Sequence, residues 1–226
     1  MMPALSLAIT LCGFLLGAFL AKKTHSPLIN PVVVGVLCVI AYLKLSKLPY
    51  TEYALQTKAI STLLAPAVVA LALPLHEHTE LLKKRFAPIL LGSLFCITLG
   101  VATGWAVAHF LHAAADLTLA LCSRSATAPI AMGIAERAQR APALSGAIAI
   151  LTGMSGATLG PWLLTRMKIT QPLARGLSVG LVSHGIGTAR ILEESEEAGA
   201  ASALGMCLSG ITLALLLPAL SHWLGF

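Results

Sequence analysis

The chain has 226 residues, of which 57% are hydrophobic and 11% charged, less than half the roughly 25% charged content of a soluble domain. Together with a mean hydropathy of +0.87, this excludes an ordinary water-soluble fold. The net charge of +6 comes from fifteen basic and nine acidic residues; few aromatics interleave with them, so no stacking platform for bases can form and nucleic acid is excluded as a partner.

Charge-free runs at 1–21, 24–43, 59–76, 86–115, 141–165 and 198–226 are each close to or longer than the ~20 residues that carry a helix across a bilayer core. The expected class is an all-α polytopic membrane protein. Its six full spans fall at 3–21, 29–45, 59–76, 87–111, 143–165 and 200–223. Strands are not expected, because a membrane strand needs a closed barrel and no segment alternates apolar and polar residues. The first run has no basic residue before it and Lys22 and Lys23 after it, the reverse of a cleavable signal peptide. It reads as a retained helix with the N-terminus outside and the first connector inside.

The second run opens on Asn30-Pro31-Val32-Val33-Val34-Gly35-Val36. The third holds Leu64-Ala65-Pro66-Ala67-Val68-Val69-Ala70-Leu71-Ala72-Leu73-Pro74-Leu75, a span interrupted by two prolines and so expected to kink. Basic connectors lie at Lys22–His25, Lys83–Arg85 and Arg166–Arg175, where the positive-inside pattern puts them on the cytoplasmic side.

Two apolar stretches, 117–135 and 176–190, are rich in Gly, Ser, Thr and Pro and do not read as ordinary spans. In Cys122-Ser123-Arg124-Ser125-Ala126-Thr127-Ala128-Pro129, Pro129 marks the first turn of a half-helix whose amides point back toward Ser125 and Thr127. An arginine in mid-membrane costs roughly 2.5–3.5 kcal/mol if it faces lipid, so Arg124 faces protein or water. A guanidinium fork beside open amides and hydroxyls is suited to a carboxylate; snorkelling of Arg124 to an interface is the simpler alternative. A re-entrant 117–140 places eight basic residues inside against five outside, whereas a full crossing gives seven against six, so the charge rule leans toward re-entry.

The second stretch ends in Ser183-His184-Gly185-Ile186-Gly187-Thr188-Ala189-Arg190. Gly185 and Gly187 each weaken a helix by about 1 kcal/mol relative to alanine, so the expectation is unwound backbone lining a site. His184 would then supply a proton or a donor, unless it only bonds a neighbouring helix. Arg190 has Glu193 and Glu194 at i+3 and i+4 and is equally readable as a surface ion pair. The candidate substrate-binding residues are Ser123, Arg124, Ser125, Thr127, Ser183, His184, Gly185, Gly187, Thr188 and Arg190.

Residues 30–36 resemble Ala128-Pro129-Ile130-Ala131-Met132-Gly133-Ile134, suggesting one membrane domain over 1–226 with repeat halves 1–113 and 114–226, an arrangement common in transporters. No Asp or Glu lies inside a long apolar run, which favours an anionic solute over a cation. Cys12, Cys38, Cys96, Cys122 and Cys207 stand singly, so they read as buried hydrophobes, with no metal or other cofactor expected. Gly153-Met154-Ser155-Gly156 has a Gly-x-Ser-Gly form with His184 as a conceivable base, but small residues at close helix contacts explain it without catalysis. An enzyme is not expected.

At Arg124–Met132, His184–Arg190 and Pro66–Leu75, three motifs in order, the chain resembles the LrgB family over nearly its whole length. The resemblance implies a multi-pass protein of the bacterial inner membrane, often accompanied by an LrgA-type membrane partner. It implies either a secondary carrier of small monocarboxylates such as glycolate, glycerate or pyruvate, or an antiholin-like modulator of murein hydrolase activity and lysis; the anion site read at Arg124 and the half-helix ends makes the carrier the leading expectation and the antiholin-like role the alternative. A homo-oligomer in the lipid bilayer is expected. Two departures stand out: Ala128 replaces a threonine before Pro129, removing a hydroxyl from a natural N-cap, and Arg137-Ala138-Gln139-Arg140 replaces a Gly-Gly pair.

Overall fold

A computed structural model describes residues 2–24, 30–63, 66, 69, 70 and 72–224. The described residues form helices joined by short turns, with no strand among them. In chain order the helices are α1 (Met2–Thr24), α2 (Pro31–Ser46), α3 (Tyr50–Gln56), α4 (Lys58–Thr62), α5 (Ala72–Glu77), α6 (Thr79–Lys84), α7 (Phe86–Phe110), α8 (Ala115–Ser123), α9 (Ala128–Arg137), α10 (Pro142–Arg166), α11 (Pro172–Leu192) and α12 (Glu196–Leu224). They form two compact units, Met1–Ala70 and Leu71–Phe226.

Four segments are long and apolar enough to cross a membrane: Ala4–Thr24, Phe86–Phe110, Pro142–Arg166 and Glu196–Leu220. These match four of the six expected spans. The span expected at 29–45 is the 16-residue α2, which turns through 120° into α3 and makes at most a broken fifth span with it. The span expected at 59–76 falls on the short helices α4 and α5, and of it and the proline-broken segment 64–75 only residues 64, 65, 67, 68 and 71 lie outside the described residues. Leu11, Leu15 and Phe19 on α1 and Leu91, Phe95 and Leu99 on α7 are all more than half exposed, which in a bilayer is the lipid-facing side.

In the first unit, α1 and α2 pack through small residues. A Cβ on Gly17 would fall 2.7 Å from the Pro31 backbone, and one on Gly13 would fall 3.0 Å from the Cys38 side chain. Hydroxyls then tie the helices together: the Thr10 Oγ1 and Tyr53 hydroxyls lie 2.8 Å apart, and buried Ser6 donates to Gln56. Asn30 caps α2, its Oδ1 accepting from Val32 N at 2.8 Å with Pro31 in the first turn, where the missing N–H of proline costs nothing.

The second unit is built around a buried cluster that includes Ile97 and Val101 of α7, Leu119 and Cys122 of α8, Ala131 and Ile134 of α9, Ala149 of α10, Leu181 of α11, and Leu213 and Leu217 of α12. Its tightest seam joins α11 to α12. Gly176 and Gly180 sit directly against the Ala198 and Ser202 carbonyls, with no room for a side chain. Where lipid gives no hydrophobic drive between helices, such small residues supply attraction through close backbone contact.

α7, α9 and α10 end alike. His112, Gln139 and Lys168 adopt left-handed φ of 49°, 53° and 59°, and the next amides, of Ala113, Arg140 and Ile169, return to the carbonyls of Ala108, Ala135 and Leu164 at 2.9 Å. This six-to-one closure usually employs glycine at the left-handed position; here polar side chains take it. Arg175 completes the α10 end: its Nη1 donates to Ile169 O at 2.9 Å, its Nη2 to Pro161 O at 3.3 Å, and its Nε and Nη2 to the Glu194 carboxylate at 2.8 and 3.1 Å. With 11% of the Arg175 side chain exposed, this bidentate pair staples the α10–α11 connection to the α11–α12 turn.

Replacing Gly180 by valine places a side chain on the Ser202 backbone, which cannot yield without moving α12. An overpacking cost of about 1–3 kcal/mol is expected, read as a lowered unfolding midpoint in a denaturing-detergent titration; an unchanged midpoint would contradict the seam.

Candidate functional site

The break expected around Pro129 is present. α8 and α9 have nine and ten residues, roughly 14–15 Å each at 1.5 Å per residue, so neither alone crosses a core of ~30 Å. Residues 124–127 between them are non-helical, with Ala126 N turning back to Ser123 O at 2.9 Å. The cap differs from the expected one. Thr127, not the residue at 128, is the N-cap of α9, Ala128 is already helical, and the Thr127 side chain makes no capping bond. The missing hydroxyl at 128 therefore leaves the cap position itself unchanged. At α2 the proline instead follows the capping residue directly.

Arg124 is half-buried against α7. Its Nη1 donates to Leu121 O at 3.0 Å and its Nη2 to Thr103 Oγ1 at 2.9 Å. Gly104 makes this approach possible, since a Cβ there would lie 2.6 Å from both Nη1 and Leu121 O. Among the described residues, no carboxylate forms an ion pair with Arg124. Ser123 is buried and turned to its own helix, donating to Ala120 O at 3.4 Å, while Ser209 of α12 donates to Ser125 O at 2.8 Å.

In α11 the irregularity falls on a different residue from the one expected. Gly185 and Gly187 do not unwind the helix; the non-helical backbone is at His184, with φ 40° and ψ −132°. A positive φ at a residue with a Cβ is held only by its surroundings, and these are visible. The imidazole is 4% exposed, and its Nε2 lies 3.0 Å from Ala149 O on α10. Gly153 provides its slot, as a Cβ there would stand 2.5 Å from His184 Cε1. Thr188 donates to His184 O at 2.8 Å and pairs with Ser202 of α12 at 2.8 Å. The Gly187 position is filled against Ser183 and Val179, so this glycine serves packing.

Ser183 is 1% exposed, and its hydroxyl has no hydrogen-bond partner among the described residues. It presses into the space left by Gly156. Gly153 and Gly156 thus receive His184 and Ser183, which accounts for the Gly-x-Ser-Gly pattern as helix packing. Ser155 between them is exposed and donates to Leu151 O of its own helix at 2.8 Å, away from His184. Arg190 is paired with Glu193 at 3.4 Å on an exposed surface, and Glu194 belongs to Arg175.

The structure gathers most of the candidate residues into two polar centres. Arg124, Ser125 and Thr127 sit at the α8–α9 break, and Ser183, His184 and Thr188 sit at the α11 irregularity. No hydrogen bond joins the centres among the described residues, but Cys122 and Ala126 beside one and Ala149 and Leu181 beside the other share the buried cluster.

The family model described as the LrgB-like family matches residues 10–223. The chain belongs to the LrgB family. It is 32% identical over 203 residues to the uncharacterized protein YxaC of Bacillus subtilis, covering 90% of this chain and 88% of that one. Similarity to an uncharacterized Haemophilus influenzae protein reaches 31% over 210 residues, covering 93% and 91%. The holin-like protein CidB of Staphylococcus aureus strain N315 is 30% identical over 205 residues, covering 89% and 88%. No solved structure matches. With its apolar helices, this LrgB chain is a multi-pass membrane protein.

Partners that sequence reading missed are Thr103 and Gly104 at Arg124, Ser209 at Ser125, and Ala149 and Gly153 at His184. The glycine spacings Gly100/Gly104 and Gly153/Gly156 were the available signal, since small residues mark close helix approach.

Alanine at Gly153 should expel the imidazole and cost roughly 1–3 kcal/mol through its lost buried bond, whereas alanine at Gly92, which has nothing within 4 Å of a built Cβ, should not. Equal unfolding midpoints for the two variants would remove the slot. Fluorophosphonate probes should leave Ser155 unlabelled; a covalent adduct at that serine by mass spectrometry would restore the hydrolase reading.

Proposed function

We propose that this LrgB protein acts in the bacterial inner membrane as an antiholin-like modulator of murein hydrolase activity and lysis. The supporting observation is its 30% identity, across 89% of its length, to a relative named a holin-like protein. A multi-pass apolar bundle without a paired catalytic constellation among the described residues suits a protein that works through its state in the membrane. An LrgA-type partner and self-association belong to this reading.

A second reading, carriage of a small monocarboxylate, is favoured by one specific feature. Arg124 sits at a helix break with guanidinium donors to spare, no acid paired with it among the described residues, and a half-helix N-terminus without a side-chain cap beside it. A carboxylate would satisfy both the fork and the amides. Ser125 and Thr127 would assist, and the irregular α11 around His184 would supply the moving part.

Arg124→Gln separates the two. If the protein modulates lysis, cells expressing the variant should retain the autolysis rate and murein hydrolase zymogram of the wild type. A change equal to deletion of the protein would count against a solute-independent role. If it is a carrier, liposomes with purified wild-type chain should take up labelled glycolate or pyruvate saturably and the variant should lose at least about tenfold, the scale of ~1.4 kcal/mol; absence of uptake by wild type would remove the second reading.

A further inference from the structure

A cleft separate from both polar centres lies where α7 ends and α8 begins. It is partly open, has a volume of about 350 Å³, and is lined by Trp105, Ala108, His109, His112, Ala113, Ala115 and Thr118. That size is at the lower end of small-molecule sites, roughly 300–1,000 Å³, and suits a polyatomic group rather than a bare ion.

Its walls are rich in donors. Trp105 and His109 stack with ring centroids 5.1 Å apart and planes within 13°, which fixes both rings. Each carries a ring N–H, as does His112. On the other side the first amides in the α8 ladder are those of Leu117 and Thr118, both bonded to Ala114 O at 3.0 Å. The amides of Ala115 and Asp116 precede that ladder, and the cap residue Ala114 makes no side-chain bond to them. Asp116 is the acid at this edge, and it faces Arg140 at 3.9 Å.

The cleft's position supplies the other half of the argument. It is at the end of the membrane-spanning α7, and Phe110 and Leu111 immediately beside it are 82% and 70% exposed, with Val107 one turn earlier at 49%. A donor-lined cleft adjoining an exposed apolar edge at the end of a span has the two-part chemistry of a phospholipid: an anionic phosphate for the rings and amides, and acyl chains for the phenylalanine and leucine. Tryptophan and histidine are amphipathic rings suited to this level.

We infer that this cleft binds the phosphate of an anionic phospholipid headgroup, with Trp105, His109 and His112 as its donors and Phe110 and Leu111 against the lipid tail. The test uses the purified full chain in detergent, titrated with dioleoyl phosphatidylglycerol and followed by native mass spectrometry. Wild type should retain a lipid adduct. A His109→Ala/His112→Ala double variant, whose histidines are exposed and whose folding is checked by size exclusion, should retain at least about fivefold less. Ala113→Leu, which fills the cleft and keeps both histidines, should also lose the adduct. Equal retention in all three overturns the inference. Inorganic phosphate added to wild type separates the sources: an adduct that survives millimolar phosphate assigns the lipid, and one displaced by it assigns the phosphate group alone, overturning the role of the tail contacts.

Discussion

Hydrocarbon offers no hydrogen-bond partner, so each place where this chain leaves the regular helix must find one inside the protein. The described exits do so by specific means. Ser209 reaches from α12 to the carbonyl of Ser125 in the α8–α9 break, Thr188 covers the carbonyl released at His184, and Arg175 donates to the chain at the end of α10. At these three places a hydroxyl or guanidinium from another turn or helix arrives at bonding distance, and at the ends of α7 and α9 the backbone closes on itself.

Those arrivals depend on small residues. Gly104 admits the Arg124 guanidinium, Gly153 the His184 ring, Gly156 the Ser183 side chain, and Gly176 and Gly180 admit the backbone of α12. The same residues thus set helix separation and hold the polar groups in place. Packing and chemistry in the second unit are not independent layers; a methyl group added to α10 at Gly153 or Gly156 lands directly on the His184 ring or the Ser183 hydroxyl of α11.

How much the sequence discloses follows from the range of each interaction. The long spans and the α8–α9 break were legible because a run of apolar residues and a proline at a first turn act locally. The N-cap was misread by one residue, from Ala128 to Thr127, because proline is compatible with more than one position of the first turn. The irregularity in α11 was assigned to Gly185 and Gly187 on propensity, yet it sits on His184, whose conformation is imposed by Ala149 and Gly153 some thirty positions earlier in the chain. Nothing within 183–190 encodes that partner. Arg175 was read only as part of a basic connector for the same reason: its carboxylate partner is nineteen residues away, while Arg190 has a nearer acid that draws attention to a lesser pair.

The left-handed ends of α7, α9 and α10 carry a consequence for depth. A glycine at each would close the backbone at less conformational cost, by about 1–2 kcal/mol, but would remove one polar side chain beside those already in the last turns, His109, Arg137 and Arg166. His112, Gln139 and Lys168 close the same turns with side chains that resist entry into hydrocarbon. Sliding any of these helix ends by one turn into hydrocarbon would carry a polar group with it. The vertical register of the bundle is written into the residues that stop its helices.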